Sequence, residues 1–230
     1  MTERPVLMTP ENAQKCHEGT KTQTRRIMKS QPPDDCGALI GPEMYAPTKV
    51  DRLGAEYPGD DIFGVYSADG EWSCRCPYGM AGDRLWVREA WRVTGGKEYE
   101  YQQRIMVGDR LWVREAWRVT GGKEYEYQQR IEDVHYRGNL SEHIEYGPAQ
   151  WKPSIHMPKW ACRTWLEITE IRVQRLQEIS EEDAIAEGLT WGDYTGPKFK
   201  FVKLWESING TGSWNDNPWV WAISFRKVAR

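Results

Sequence analysis

The chain has 230 residues, a hydrophobic content of 39% and a formal net charge of −3. Its mean hydropathy is −0.76 and its isoelectric point is about 5.9. No stretch approaches the roughly 18 apolar residues of a membrane-spanning helix, so the sequence excludes a membrane protein. The acidic balance also argues against a broad basic surface that grips many phosphates, although it leaves room for a local cationic pocket.

Cysteine usage and the N-terminal residues predict a cytoplasmic protein. Residues 1–5 carry no hydrophobic signal core, and the five cysteines are an odd number with irregular spacing. These features favour reduced thiols over a disulfide framework. Cys74 and Cys76 could supply half of a zinc site, but no second close pair of cysteines or histidines completes it. We therefore expect neither a metal nor another cofactor.

The first predicted elements are a short strand and a capped helix. Residues 6–8 favour a strand. Thr9 is a suitable N-cap and Pro10 suits the first helical position, so we expect a helix that runs to about Glu18 and ends at Gly19. The next segment therefore leaves a helix end and enters a strand or an extended turn.

That next segment, Lys21-Thr22-Gln23-Thr24-Arg25-Arg26, is the most informative stretch of the chain. It places an amine, two hydroxyls and two guanidiniums within six residues. A lysine three residues before a threonine can bring its ammonium to that hydroxyl. In a dry site such a lysine can lose its proton and act as a base toward the hydroxyl. Taken alone, the same six residues also fit a solvated basic turn.

Residues 31–70 contain many Pro, Gly and Asp residues and show little periodicity. Such a composition is typical of connecting segments rather than of long helices or strands. Loops of this length without structure of their own are uncommon in compact domains. We expect a long surface excursion at residues 31–70, with one short hairpin in it.

A tandem duplication follows. Residues 80–105 and 106–131 abut and differ only at Ala81 versus Val107. Repeat architectures need at least three units, so two near-identical copies indicate one extra unit inserted into a complete parent. Each copy predicts a β-hairpin with a Gly-Gly turn and an alternating return strand. The added hairpin would create a new exposed edge that favours self-association, and either copy could fill the parental position.

The C-terminal half predicts two strands and two helices. Residues 164–173 alternate well and form the clearest strand of the chain. Ser180 and Asp183 resemble a capping box at the start of an acidic helix. An amphipathic helix at 199–208 and a closing strand at 218–228 complete the chain. Strands thus dominate, with helices at three points, and we expect an α+β fold: one domain built as a small mixed β-barrel with helices at its rim.

Several short motifs carry a resemblance to a known family. They are Gly19-Thr20-Lys21-Thr22-Gln23-Thr24-Arg25, Gly82-Asp83-Arg84-Leu85-Trp86-Val87 and the acidic helix at 179–188. In this order and spacing they resemble the ASCH family of PUA-like β-barrels. The chain also resembles the phage-borne branch of this family, in the motifs Cys76-Pro77-Tyr78-Gly79 and Asn217-Pro218-Trp219-Val220-Trp221. The likeness covers most of the chain except residues 31–70 and the extra unit. It implies a PUA-like domain whose partner is RNA or a modified nucleoside.

The family includes amidohydrolases that remove the acetyl group of N4-acetylcytidine, and this resemblance implies catalytic residues here. Lys21 and Thr24 match the catalytic lysine and threonine of those enzymes, and Glu187 matches the glutamate on their acidic helix. Thr24 would then attack an acyl carbonyl while Lys21 accepts its proton. Glu187 would pass a proton to the leaving exocyclic nitrogen.

Substrate binding would fall to Arg25, Arg26 and Tyr78. An arginine, or backbone N–H groups, would hold the developing oxyanion, and a tryptophan or Tyr78 would stack on the base. Two other interpretations stay open. In the first, Lys21 and Glu187 form a simple ion pair in a module that binds RNA or a modified base without chemistry. In the second, the chain is a phage accessory or assembly protein that uses the barrel only as a protein-contact surface.

Overall fold

The fold is given by a computed structural model that describes residues 1–93, 105–107, 110–112, 134–136, 152–192 and 194–230. It is a mixed α+β fold with several sheets, which confirms the predicted class. Its helices are α1 (Pro10–Glu18), α2 (Glu181–Ala186) and α3 (Pro197–Asn209). Its strands are β1 (Glu3–Leu7), β2 (Gln23–Ile27), β3 (Leu39–Tyr45), β4 (Thr48–Val50), β5 (Glu56–Pro58), β6 (Ile62–Ser67), β7 (Ser73–Arg75), β8 (Arg84–Arg88), β9 (Trp91–Val93), β10 (Ile105–Val107), β11 (Arg110–Trp112), β12 (Val134–Tyr136), β13 (Trp165–Arg175) and β14 (Trp219–Val228).

A five-stranded sheet with the order β1-β8-β13-β14-β2 forms the centre of the described fold. β1 and β8 run parallel, whereas the other neighbours run antiparallel. β13 and β14 form a long ladder that extends from Trp165 opposite Val228 to Arg175 opposite Trp219. Since β1 and β2 are the two edge strands, α1 connects opposite edges of this sheet.

The main core packs between this sheet and α1. Leu85, Leu166 and Ile223 are fully buried on three neighbouring strands, and Ala13 and Cys16 cover them from α1. Burying one such aliphatic side chain contributes about 1.5–3 kcal/mol, so β8 is firmly held in the sheet. Burial raises the pKa of the Cys16 thiol to about 12, and it therefore packs as a neutral side chain. All five cysteines are free.

The helix starts follow from the caps that the sequence predicts. Thr9 accepts a hydrogen bond from Asn12 N at 3.3 Å, and Gly19 ends α1 with φ 80°, which glycine adopts without a steric penalty. Ser180 and Asp183 form the predicted capping box at α2. Both predictions are confirmed. Within the described ranges, no helix is long and apolar enough to cross a membrane.

Residues 31–70 hold more regular structure than the sequence predicts. β3, β6 and β7 form an antiparallel sheet, and β4 pairs with β5 in a separate hairpin. Val65 of β6 is fully buried in the main core and Phe63 packs against it, so the sheet is anchored to the rest of the fold. The prediction of an excursion with a single hairpin is therefore wrong. The burial of β3 and β6 does not alternate residue by residue, so no period of two marks these strands in the sequence.

The first copy of the duplicated unit supplies a strand of the main sheet. β8 pairs with β1 on one side and with β13 on the other, and β9 pairs with β12. In the second copy, β11 lies against β10 in a two-stranded sheet. The predicted Gly-Gly turns and return strands of both copies lie outside the described residues. The first copy thus supplies β8, the strand between β1 and β13 in the main sheet. The sequence leaves open which copy does so.

Asp83, at the start of β8, ties that strand to the N-terminal residues. Its Oδ1 accepts a hydrogen bond from Thr2 N and its Oδ2 accepts one from Thr2 Oγ1, both at 2.6 Å. Met80 N also donates to Oδ2, at 3.3 Å. Burial raises the pKa of Asp83, but these hydrogen bonds outweigh it and hold the pKa below its ordinary value.

We expect Asp83→Asn to lower the free energy of unfolding at pH 7 by about 1–3 kcal/mol, the range for hydrogen bonds to a charged group. Because the pKa of Asp83 is lowered on folding, its stabilisation is present above about pH 4 and is lost as the pH falls through the folded pKa. Urea unfolding of both proteins from pH 7 to pH 2.5 tests this, and the gap should close in acid. A gap that stays constant over that range would contradict the assignment.

Candidate functional site

A cleft of about 520 Å³ lies between the β1–α1 junction, β2, the end of α2 and one face of α3. All six residues that the sequence assigns to a site line this cleft: Lys21, Thr24, Arg25, Arg26, Tyr78 and Glu187. Much of the remaining wall is apolar and is formed by Leu7, Met8, Pro10, Ile27, Phe201, Leu204, Trp205 and Ile208. A mostly apolar pocket of this size with a few convergent polar groups is typical of small-molecule sites.

Lys21 and Glu187 form a buried ion pair inside the cleft. Lys21 is 2% exposed and Glu187 is 3% exposed. The Lys21 ammonium donates to Glu187 Oε2 and also to the Glu187 backbone oxygen, the latter at 2.9 Å. Thr22 N donates to Ala186 O at 2.8 Å, which fixes the start of β2 against the end of α2. The structure thus brings together a lysine and a glutamate that are 166 positions apart.

Thr24 presents its hydroxyl without an internal partner. It lies on β2 opposite Ile223 of β14, and it is 5% exposed. No hydrogen bond of Thr24 Oγ1 is found among the residues that the structure describes. A threonine in a strand ordinarily satisfies its hydroxyl locally or in water. Because Thr24 lines the cleft, its hydroxyl is available to a ligand there.

Arg25 is occupied by the carboxylates of α2. Its side chain has no exposed surface. Nη2 donates to Asp183 Oδ2 at 2.6 Å, whereas Nη1 donates to Glu187 Oε1 at 3.3 Å and to Gln23 Oε1 at 2.5 Å. The guanidinium carbon also lies 5.8 Å from the ring centre of Phe201. Arg25 lines the cleft as the sequence predicts, but its Nη groups hold the carboxylates in place.

Arg26 and Tyr78 lie on the cleft wall and make fewer hydrogen bonds than Arg25 among the described residues. Arg26 Nη2 donates to the backbone oxygen of Leu7 and lies 3.3 Å from the sulfur of Met8. Arg26 Nε has no hydrogen-bond partner among the described residues. Burial raises the pKa of the Tyr78 hydroxyl, with a smaller opposing effect of the Arg26 charge, so Tyr78 is a neutral ring. Both side chains therefore retain surface and donors for a ligand.

The sequence misses one residue of this cluster, Asp183. It predicts Asp183 only as part of a helix cap, whereas the carboxylate also binds Arg25 and, through Oδ1, Arg172 Nη2 at 2.8 Å. Burial raises its pKa, but the hydrogen bond from Arg172 and the charges of Arg25 and Arg172 outweigh this, and the pKa lies below its ordinary value. Its position four residues before Glu187 puts both on one face of a helix, and this spacing is the signal that could identify it.

A second buried carboxylate, Glu89, belongs to a structural ion pair. Glu89 is fully buried and receives two hydrogen bonds from Arg163, each at 2.8 Å. Burial raises the pKa of Glu89, and the Arg163 guanidinium opposes this shift. Glu89 does not line the cleft, although Ala90 beside it does. The equivalent position in the second copy, Glu115, lies outside the described residues.

No group of three or more His, Cys, Asp or Glu side chains in the described ranges is arranged to hold a metal ion. No family model, curated protein or solved structure matches this chain. What the cleft can do must therefore be inferred from its own residues.

Proposed function

We propose that this chain is an amidohydrolase that removes an acyl group from the exocyclic nitrogen of a modified nucleoside or RNA base of the N4-acetylcytidine type. The observation that carries the proposal is the convergence of Lys21, Thr24 and Glu187 in one cleft, although β2 and α2 are remote in sequence. These three side chains offer an amine, an alcohol and a carboxylate, which is the set that acyl transfer to a hydroxyl nucleophile requires.

The existing hydrogen bond gives the proton path. Transfer of one proton from the Lys21 ammonium to Glu187 along that bond would produce a neutral amine and a neutral acid. The amine then takes the proton of Thr24 Oγ1 as the oxygen attacks the acyl carbon. Glu187 donates its proton to the exocyclic nitrogen as the carbon–nitrogen bond breaks. Water hydrolyses the resulting threonine ester, which releases the carboxylic acid and restores the hydroxyl.

The remaining wall suits a nucleobase. Tyr78 and the apolar side chains of α3 offer flat and apolar surface, on which a base can stack. Arg26, which lines the cleft and is partly exposed, is a candidate donor to the developing oxyanion. The cations Lys21, Arg25 and Arg26 exceed the carboxylates Glu187 and Asp183 by one charge, which favours a ligand that becomes negative during the reaction.

Membership of the ASCH family and a PUA-like barrel are part of the same proposal. The mixed five-stranded sheet with helices beside it supports them. So does the contact between its two edges, since Arg26 on the edge strand β2 donates to Leu7 O on the opposite edge strand β1. A flat sheet keeps its edge strands apart, so this contact favours a strongly curved sheet.

A binding module without chemistry is the second candidate, and one observation favours it. Lys21 is bound by both the carboxylate and the backbone oxygen of Glu187, which favours a charged ammonium over a free base. In that case the same cleft docks RNA or a modified base, and Arg26 and Tyr78 provide the contacts. The two candidates differ in one measurable respect, which is the release of product.

We expect Thr24→Val to reduce turnover of N4-acetylcytidine by at least about a thousandfold, because it removes the nucleophile. The free energy of unfolding should change by less than about 1 kcal/mol, since no hydrogen bond of the hydroxyl is found among the described residues. The assay follows cytidine released from the free nucleoside and from a short RNA that contains the modified base. Thr22→Val is the matched control, because Thr22 is exposed, lies two positions away and does not line the cleft.

The outcomes separate the two candidates. Release by the native chain and by Thr22→Val, but not by Thr24→Val, supports the enzyme. Saturable binding of the same ligands with no release above the Thr24→Val background would remove the enzyme and leave the binding module. Neither binding nor release would remove both.

A further inference from the structure

A row of alternating charges runs from the cleft to the solvent. Lys21 binds Glu187, Glu187 binds Arg25, Arg25 binds Asp183, and Asp183 binds Arg172. The first two side chains are at most 4% exposed and Arg25 is fully buried, whereas Asp183 is 15% exposed and Arg172 is 40% exposed. We call this row the ion chain. It crosses from β2 to α2 and ends on β13.

We propose that Asp183 is a positioning residue for the cleft, which fixes Arg25 against Glu187 and thereby sets the orientation of the Lys21–Glu187 pair. Its role in catalysis rests on the proposed function. Its electrostatic coupling to Lys21 does not, because that coupling exists whether or not the cleft performs chemistry.

The Asp183 carboxylate makes shorter contacts with the two arginines than with the backbone of the helix cap. Each of its oxygens accepts a guanidinium hydrogen bond, at 2.6 Å from Arg25 and at 2.8 Å from Arg172. Its contact with Ser180 N, which completes the capping box, is 3.5 Å and thus at the limit of a hydrogen bond. The carboxylate therefore binds the arginines of the ion chain more strongly than it caps the helix.

Arg25 in turn divides its donors between two carboxylates on one helix. Nη2 is held by Asp183, which leaves Nη1 to contact Glu187 Oε1 from the side opposite Lys21. Asp183 itself does not line the cleft. Any effect of Asp183 on a ligand must therefore pass through Arg25 and Glu187. In a buried, weakly screened setting such effects reach further than they do at the surface.

The expected signs follow from Coulomb's law. Removing the negative charge of Asp183 makes the Lys21 ammonium less favourable, whereas removing the positive charge of Arg172 makes it more favourable. The other groups near Lys21 stay constant in both variants. They are Arg26 on β2, and the neutral thiol of Cys16 together with Lys15 on α1, which pairs with Glu11.

The test is the NMR chemical shift of Lys21 at pH 7 in the full chain, with lysine labelled with ¹³C at Cε and the Lys21 resonance assigned by its loss in Lys21→Met. Asp183→Asn and Arg172→Met should displace this resonance in opposite directions, because they remove charges of opposite sign from the ion chain. The displacement in Arg172→Met should be the smaller one, since Arg172 is more exposed. Glu170→Gln is the matched control, because Glu170 is an exposed carboxylate 3.6 Å from Arg172 Nε, and it should leave the resonance in place.

Opposite shifts in Asp183→Asn and Arg172→Met support the ion chain, because a loss of packing would move both in the same direction. Shifts of the same sign, no shift in Asp183→Asn, or an equal shift in Glu170→Gln would overturn it. If turnover is found, Asp183→Asn should lower kcat with little change in KM, and a change in KM alone would also overturn the role. A native chain without turnover would remove the proposed function, while the NMR result would still decide the coupling.

Discussion

Replacing Glu187 with alanine should lower the free energy of unfolding by about 3–5 kcal/mol, because the change leaves buried cations without their counter-charge. Lys21 would lose its carboxylate partner and Arg25 would lose one of two. Both side chains are at most 1% exposed, so water can replace little of the lost pairing. Equilibrium unfolding in urea at pH 7 measures this loss.

A neighbouring glutamate provides the control for this prediction. Glu182 lies on the same helix but is exposed, so Glu182→Ala should cost less than about 1 kcal/mol. The double variant Lys21→Met/Glu187→Leu removes both charges, and it should be more stable than Glu187→Ala despite its extra change. Equal losses in Glu187→Ala and Glu182→Ala, or strictly additive losses at positions 21 and 187, would contradict a buried ion pair.

The expected loss of stability affects how the Glu187→Ala variant behaves in an activity assay. A variant that unfolds loses activity whatever the role of the side chain, so Glu187→Ala alone does not test proton transfer. Thr24→Val avoids the difficulty, because Thr24 is not part of the ion pair and no hydrogen bond of its hydroxyl is found among the described residues. A loss of product release in Thr24→Val would therefore not reflect a loss of stability.

Local signals predicted the ends of the elements well. Thr9 and Ser180 are found at the helix starts that their capping chemistry indicates, and Gly19 lies at the predicted helix end. Each of these signals acts within four residues, so neighbouring side chains are enough to recognise it. Lys21 and Thr24 likewise stand three residues apart, and their shared place in the cleft could be expected from spacing alone.

Contacts between remote segments could not be derived in this way. Glu187 came from the resemblance to a family rather than from any pattern in the chain. Asp183 meets Arg25 across 158 positions, and only the packing of α2 on β2 creates that contact. The two strands that residues 31–70 contribute to the three-stranded sheet, β3 and β6, were missed for a related reason, since Val65 becomes a core residue only when the main sheet is present.

Both copies carry the same strand sequence, but within the described residues only the first supplies a strand of the main sheet. The copies are identical from Gly82 to Ile105 and from Gly108 to Ile131, so the choice between them depends on the residues that precede and follow each copy. The residue immediately before the first copy is Gly79, which has a φ of 102°. A Cβ at this position would lie 2.5 Å from Asp83 Oδ2. The second copy has Ile105 at the equivalent position. A β-branched residue is strained at such a φ, which explains the preference for the first copy.

If this junction is the main difference, the second copy can act as a replacement strand when the first is damaged. We expect Leu85→Asp to cost about 2–4 kcal/mol, the junction strain plus the closure of a longer loop, because Leu111 and its neighbours then take the central position. Leu111→Asp should cost less than about 1 kcal/mol, since the first copy stays in place. Leu85→Asp/Leu111→Asp should fail to fold, because either choice then buries an unpaired carboxylate in the core.

The signature of this replacement is a loss in the double variant that exceeds the sum of the two single losses, measured by urea unfolding and by near-UV circular dichroism of the full chain. Positions 85 and 111 belong to different sheets, and an excess loss in the double variant is what exchange of the two strands predicts. If Leu85→Asp alone unfolds the chain, the second copy cannot enter the main sheet. The Ile105 junction would then prevent the second copy from replacing the first, and each copy would have its own fixed place in the fold.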